Sequence, residues 1–170
     1  MSSLKRLRAT SDLKELALLL GIKSSALAYL LYQLPDALKY KTFTISKRSG
    51  GKRTISAPDK RLKLVQRRLA ELLEACQLEV DEKEGVEAAC VVAHGFKRGL
   101  SISTNAARHR RRRWVFNADL SEFFPSINFG RVYGFFLRNR HYSLQPKVAA
   151  AIAQIACFKD TLPQGSPSSP

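Results

Sequence analysis

The 170-residue sequence predicts an α+β chain, and three patterns in it carry that prediction. Apolar residues recur at helical spacing through residues 1–40, alternate with polar ones between 42 and 57, and then return to helical spacing in longer segments. An apolar fraction of 45% is enough to fill the core of one compact domain with an appendage.

The helical N-terminal region comes first. Thr10 or Ser11 can cap "DLKELALLLG", in which Leu13, Leu16, Ala17 and Leu20 form one apolar stripe before Gly21 stops the helix. Ser24 can start a second helix that Pro35 ends. Helix, glycine turn and helix together resemble a helix-turn-helix, which would read DNA with exposed polar groups on its second helix. That helix is mostly Leu, Ala and Tyr, so packing is the expectation and DNA reading the alternative.

In "KTFTISKRSGGKRTISAP", Phe43 and Ile45 alternate with Thr42, Thr44 and Ser46. The strand then breaks at Ser49-Gly50-Gly51 and resumes through Thr54 and Ile55 to Pro58, the pattern of a β-hairpin. Its loop carries Lys47, Arg48, Lys52 and Arg53 beside glycines whose bare backbone lets an anion approach; a solvated hairpin tip is the plainer reading. From Asp59 to Cys76 an amphipathic helix turns Leu62, Val65, Leu69, Leu72 and Leu73 inward and leaves Lys63, Arg67 and Arg68 outward.

The acidic "VDEKEGVEA" reads as an exposed loop. A short helix near Thr104–Arg108 leads into Arg110, Arg111, Arg112 and Arg113, a charged surface that with the basic hairpin suggests a phosphate-binding face. Trp114–Ala118 reads as the most buried strand and ends at Asp119. Asn128 can cap a helix to about Asn139, and Ser143 can start another to about Cys157.

The 29 Lys and Arg against 14 Asp and Glu give a net charge of +15, which favours a polyanionic partner, nucleic acid ahead of an anionic membrane surface. Cys76, Cys90 and Cys157 are odd in number and too widely spaced for a metal clip or a disulfide framework, so a reducing, cytoplasmic setting is expected. The longest apolar run, "VAAAIAQIACF", is too short to span a bilayer, and no signal-peptide core follows the N-terminus.

A carboxylate at the C-terminal end of a buried strand can hold Mg²⁺, a hard cation that takes oxygen ligands and shares them with substrate phosphates. By itself Asp119 reads as a helix cap ahead of a metal ligand, since Asp119-Leu120-Ser121-Glu122 has capping-box spacing. The surrounding blocks alter the balance. "GGKRTISAP" with "LKLVQRRL", then "AHGFKRGLSISTNA", "FNADLSEFFPSINF" and "LPQGSPSSP", in that order, resemble reverse transcriptases, within them the bacterial retron type.

The resemblance implies the fingers (41–113) and first part of the palm (114–170) of a right-hand polymerase, with the helical appendage (1–40) in front. It implies that Asp119 is the first catalytic aspartate, binding two Mg²⁺ ions with the Leu120 carbonyl. Backbone N–H groups at Glu122 and Phe123 would face the triphosphate of a dNTP, and Phe124 would be the ring that collides with a 2′-hydroxyl. Arg53 would stack on the incoming base and touch phosphate, with Lys52 or Lys47 a further triphosphate contact. Gln164 and Gly165 would pack beside the nucleotide sugar and template. Asn105, with Ser101 and His94-Gly95-Phe96, would position template or primer. The run Arg110 to Arg113, with Arg67 and Arg68, would meet nucleic-acid backbone.

The implied reaction is attack of a primer hydroxyl on the α-phosphate of a dNTP, templated by a structured non-coding RNA and yielding, in retrons, a branched RNA–DNA hybrid. In retrons the primer is a 2′-hydroxyl of the RNA itself, and such systems are associated with antiphage defence through an effector protein. The family's Tyr-x-Asp-Asp element lies downstream of "PQG", and neither Glu122 nor Asp160 evidently replaces it. The sequence is therefore expected to be a part of such an enzyme, inactive alone. A shortened chain, a split enzyme with a separate C-terminal half and a degenerate gene fragment are the three explanations. A group II intron-like reverse transcriptase and a non-catalytic RNA-binding module are the alternatives.

Overall fold

The computed structural model describes residues 2–46, 50–86, 94–95 and 99–169. The hairpin-tip residues Lys47, Arg48 and Ser49, together with Cys90 and Phe96, lie outside that set, as do residues 87–88 of the acidic segment.

The chain is α+β, dominated by helices. Helix α1 (Ser3–Ala9) is capped by the Ser2 side chain, which accepts from the Lys5 N–H. It docks through Glu79 of a later helix, whose carboxylate accepts the N–H groups of Ser3 and Leu4 at 2.6 and 3.1 Å. Helix α2 (Leu13–Leu19) is capped by Asp12 instead of Thr10 or Ser11. Asp12 accepts from the Glu15 N–H at 2.9 Å while the Glu15 carboxylate takes the Ser11 N–H at 2.7 Å, a reciprocal arrangement one residue further along than the expected cap. Gly21, at φ +64°, then reverses the chain.

Helix α3 (Ser24–Ala28) runs on into a π turn over Tyr29–Gln33, and Pro35 leads into the single turn α4 (Asp36–Lys39). Leu27, Leu30 and Leu34 are buried, so this second helix packs inward as its composition suggests. Among the described residues no single helix is long and apolar enough to cross a membrane; the pair Leu13–Leu19 and Ser24–Gln33 reaches that length only together, across a 113° bend.

Strands β1 (Tyr40–Ser46) and β2 (Lys52–Pro58) form the expected antiparallel hairpin, in register from Tyr40 opposite Pro58 to Ser46 opposite Lys52. Only its base is sheltered: Tyr40 is buried and Ile55–Pro58 half-buried, while the remainder projects outward. Two strands alone are marginal in water, so the hairpin depends on what packs at that base.

Helix α5 (Lys60–Lys83) starts on Asp59, whose side chain accepts the Leu62 N–H at 3.0 Å. It continues past the expected end at Cys76 because Cys76 and Val80 prolong the buried stripe of Leu62, Val65 and Leu69. The expected acidic loop is therefore helical as far as Lys83, and the chain leaves the helix at Gly85, φ +65°.

Further along are α6 (Ile102–Arg108), the single turn α7 (Phe123–Ser126), α8 (Phe129–Arg138) and α9 (Pro146–Ala156). Asn128 caps α8 as expected, accepting from the Arg131 N–H at 2.9 Å, and Asn139 ends it. Helix α9 begins at Pro146, not Ser143. Ser143 sits at φ +43°, outside helical geometry, whereas proline's fixed φ suits the first helical position.

One expectation fails outright. Trp114–Ala118 is neither a strand nor buried: residues 114–120 carry no regular structure, and Trp114 and Phe116 are 82% and 88% exposed. A strand needs a neighbour to take its N–H and C=O groups, and among the described residues β1 and β2 pair only with each other. Alternation and apolarity mark a segment suited to a sheet but do not supply one.

Among the described residues one core cluster joins Leu7, Leu16, Leu27, Val65, Leu69, Phe136, Val148, Ile152 and Ile155, so the N-terminal helices share it with α9. Leu69→Ala should remove about 2–5 kcal/mol of unfolding free energy, read as a lower urea midpoint. Glu79 supplies a pH-dependent part. Its burial would raise the carboxyl pKa, but the N–H groups of Leu4 and Ser3 and the hydroxyls of Ser2 and Ser3 outweigh that and hold it below the usual range. This contribution is present above the ordinary carboxylate pKa of about 4.3 and is lost as pH falls through the lower folded value. Acid titration of wild type against Glu79→Gln should show the variant lacking that loss.

Candidate nucleotide and nucleic-acid site

The loop at residues 161–166 is where separate candidate blocks meet. Asn128 and Thr161 form an antiparallel bridge, and the Leu162 N–H donates to the Ile127 carbonyl at 3.1 Å. This ties the loop to the segment that follows Phe123 and Phe124. On its other side the Gln164 carbonyl accepts the Ser56 N–H of β2 at 3.0 Å. Gly165, at φ +100°, lies so close to β2 that an added Cβ would come within 2.9 Å of Ile55 Cγ2.

Side chains two apart on a strand share a face, so Arg53 leaves β2 on the side where Ile55 meets the loop. Arg53 and Lys52 are exposed near the turn of the hairpin. The structure thereby brings Arg53, Gln164 and Gly165 to one flank of the molecule, although the sequence separates them by more than half the chain.

Asp119, Leu120 and Glu122 are exposed in the stretch without strand structure. The capping role that Asp119 could have had is not realised: α7 begins at Phe123 after Glu122, which adopts the left-handed region at φ +51° and makes no side-chain cap bond. Phe123 and Phe124 pack edge to face with centroids 5.5 Å apart; Phe123 is exposed and Phe124 half-buried. Both can thus present a ring to a ligand without leaving the core empty.

The oxygen donors of Asp119 and Leu120 suit Mg²⁺ in kind but not in number. Among the described residues no group of three or more His, Cys, Asp or Glu could hold a metal ion.

Helix α6 carries Asn105 on an exposed surface, and its start is a capping box in which Ser101 and Thr104 exchange bonds. Thr104 Oγ1 also lies 2.9 Å from His94 Nδ1, which joins His94 to the start of α6. Arg110 to Arg113 are all exposed, with the Arg113 guanidinium 5.6 Å over the Trp114 ring. Arg67 is exposed on α5. Arg68 is not outward: it is half-buried and donates to the Leu20 and Gly21 carbonyls, closing the C-terminal end of α2.

Tyr40, Gln66 and Ser166 escaped the sequence reading. All three are buried: Ser166 lies within the loop, and Gln66 donates to the Tyr40 hydroxyl at the base of β1. Gln66 was detectable in principle, because it falls four residues after Leu62 on the inward stripe of an amphipathic helix. The contact between the loop and β2 had no such signal.

The basic hairpin, the glycine loop and the segment after the aromatic turn are thus joined on one flank, and comparison with known proteins bears on the family to which such a chain belongs. No protein-family model matches the chain. It is 41% identical over 123 residues to the retron Mx65 reverse transcriptase of Myxococcus xanthus, covering 71% of this chain and 26% of the relative. It is 35% identical over 172 residues to the retron Mx162 reverse transcriptase of the same organism, covering 91% and 33%. To the retron Ec86 reverse transcriptase of Escherichia coli it is 30% identical over 138 residues, covering 78% and 38%. These relatives are reverse transcriptases, and the chain belongs to the retron family of them. It spans about a quarter to two fifths of their length.

Gly165→Ala tests the packing at this flank. A methyl there meets Ile55 in a backbone conformation that L-residues resist, so the substitution should loosen the loop and cost about 1–3 kcal/mol. Hydrogen exchange at the Ser56 amide, which donates into the loop, should quicken correspondingly; unchanged protection would contradict the contact.

Proposed function

We propose that the chain carries the fingers and first palm segment of an RNA-directed DNA polymerase with the right-hand fold. That enzyme would extend a primer hydroxyl on a structured RNA template with dNTPs. The observation that carries the reading is the stitching of the 161–166 loop to both β2 and the Ile127–Asn128 segment. It gathers on one flank three of the four blocks by which the sequence resembles reverse transcriptases. Family membership supports the same reading, and the relatives' names favour the retron type over the group II intron type.

In this reading Arg53 stacks on the incoming base and contacts phosphate, assisted by Lys52. Gln164 and Gly165 flank the sugar and template, Phe124 excludes a 2′-hydroxyl, and the backbone at Glu122 and Phe123 faces the triphosphate. Asp119 and the Leu120 carbonyl contribute to Mg²⁺ binding, with the remaining donors coming from outside the described residues. Bound Mg²⁺ would supply charge neutralisation at the reacting phosphate. Arg67, Arg110 to Arg113 and Asn105 would hold the nucleic acid; priming from a 2′-hydroxyl of the RNA, a cytoplasmic setting and a part in antiphage defence with an effector protein extend the proposal by family.

Primer extension on an RNA template in Mg²⁺ tests the assignment in the complete protein. Asp119→Asn should fall to background while RNA binding persists; full activity in that variant would sink the catalytic role. Phe124→Ala should admit ribonucleotides that the unsubstituted enzyme excludes.

The second reading is a non-catalytic RNA-binding module, which the exposed arginine run would serve equally. It expects RNA binding without extension. In either case, replacing Arg110 to Arg113 with Ala should flatten the dependence of log affinity on log salt by roughly 0.7 for each single-stranded phosphate that the run neutralises. A slope equal to that of the unsubstituted protein would remove the run from the interface.

A further inference from the structure

Helix α1 exposes Lys5, Arg6 and Arg8, while Leu7 between them is fully buried in the core. At about 100° per residue the three cations fall within an arc of roughly 160° on the side away from Leu7, so they form one outward face.

Helix stability does not account for that face. Arg6 and Arg8 in the last turn suit the negative end of the helix dipole, but Lys5 stands near the positive end, and the first turn holds no acidic residue. That end is served from outside, by the Glu79 carboxylate of α5, which accepts the Ser3 and Leu4 N–H groups. Neighbouring acids do not account for it either. Among the described residues none of the three cations is ion-paired, and the carboxylates of Asp12, Glu15 and Glu79 are bound to backbone N–H groups. The cations are also held in place, because the Glu79 bonds and the burial of Leu7 dock α1 on the body of the molecule.

The length of α5 sets where this face lies. Lys60, Lys63 and Arg67 are exposed in the first half of α5, beside the hairpin, whereas the second half carries Glu71, Glu74, Glu79, Asp81 and Glu82. From Asp59 at the hairpin base to Glu79 at the start of α1 the helix rises about 30 Å, at ~1.5 Å per residue. The α1 face is therefore a second basic surface and not an extension of the first. The separation is close to one turn of a nucleic-acid duplex, roughly 34–36 Å in the B form.

We propose that α1 is a second nucleic-acid contact, which holds the phosphate backbone of a double-helical RNA stem whose other end lies against the basic flank. A stiff stem is the occupant that the spacing selects. It carries phosphates to both surfaces at once, and engaging one surface brings the other within reach. Cations with no acidic partner contact phosphate without reading sequence, so the face would set register and affinity and leave base choice to other parts. The proposal rests on RNA binding, which the polymerase and the non-catalytic readings share.

Fluorescence anisotropy of the complete protein with two labelled RNA hairpins tests it: one has a stem of about 6 base pairs, too short to span both surfaces, and the other a stem of about 20. The triple variant Lys5→Gln, Arg6→Gln, Arg8→Gln should bind the long stem at least about tenfold more weakly at roughly 0.15 M salt, with the salt slope flattened by about 0.9 for each phosphate released. It should bind the short stem within about twofold of the unsubstituted protein. A charge-keeping variant, Lys5→Arg with Arg6→Lys and Arg8→Lys, should bind both stems as the unsubstituted protein does.

Undiminished binding of the long stem by the Gln variant would overturn the proposal. An equal loss on both stems would also overturn it, since that marks a general fall in attraction and not a second point of contact. Loss of long-stem binding in the charge-keeping variant would do so too, by tracing the effect to the packing of α1. If the Gln variant lost binding to phosphatidylserine vesicles and kept the long stem, the face would belong to a membrane surface and the proposal would fall. Failure of the unsubstituted protein to bind either hairpin would instead overturn the RNA-binding reading on which the proposal stands.

Discussion

The burial of α9 on nearly every side is the constraint from which the rest of the arrangement follows. Val148, Ala149, Ala151, Ile152, Ala153, Ile155 and Ala156 are all buried, a pattern that places this helix inside the molecule and not on its surface. Its alanines let neighbouring helices approach closely. α5, α2 and α8 supply the surrounding leucines and aromatic rings, with Phe136 and Tyr142 meeting edge to face at 5.3 Å. The N-terminal helices therefore close the same core as the C-terminal ones.

What leaves α9 is correspondingly well placed. Phe158 stacks on Tyr40, and Lys159 and Asp160 both take the left-handed region, at φ +48° and +64°, to turn the chain back. Consecutive non-glycine residues in that region are unfavourable unless their surroundings hold them. Here Phe158 and Thr161 exchange backbone bonds at 2.8 and 3.1 Å, and the Asp160 carbonyl accepts the Phe129 N–H at 3.1 Å. The turn delivers the glycine loop to the base of the hairpin, so a rigid core helix sets the position of a surface site.

Charge is distributed in keeping with this division. Among the described residues no Lys, Arg, Asp or Glu is buried, whereas Lys52, Arg53, Arg67 and the run from Arg110 to Arg113 are exposed. Exposed cations gathered in this way attract polyanions at long range. Arg68 shows that a cation on a helix face need not belong to that surface: two backbone carbonyls at the end of α2 claim it.

The sequence by itself determined the elements whose causes are local, and the candidate residues of the site. Asp59 and Asn128 cap their helices through bonds three residues away, and the alternation from Thr42 to Ser46 yields the hairpin; both effects act within a few residues. Likewise the ordered blocks containing Arg53, Asp119 and "PQG" named the family that the relatives share. Only the tertiary structure decided which of those residues meet. Gln164 touches Ser56, and Gln66 joins Tyr40 to Ile155, across separations that no periodicity encodes. It also decided that Trp114–Ala118 stands exposed, because strand structure is a property of a pair: the side chains there are fit for a pleated, half-buried surface, but the ladder must come from another segment.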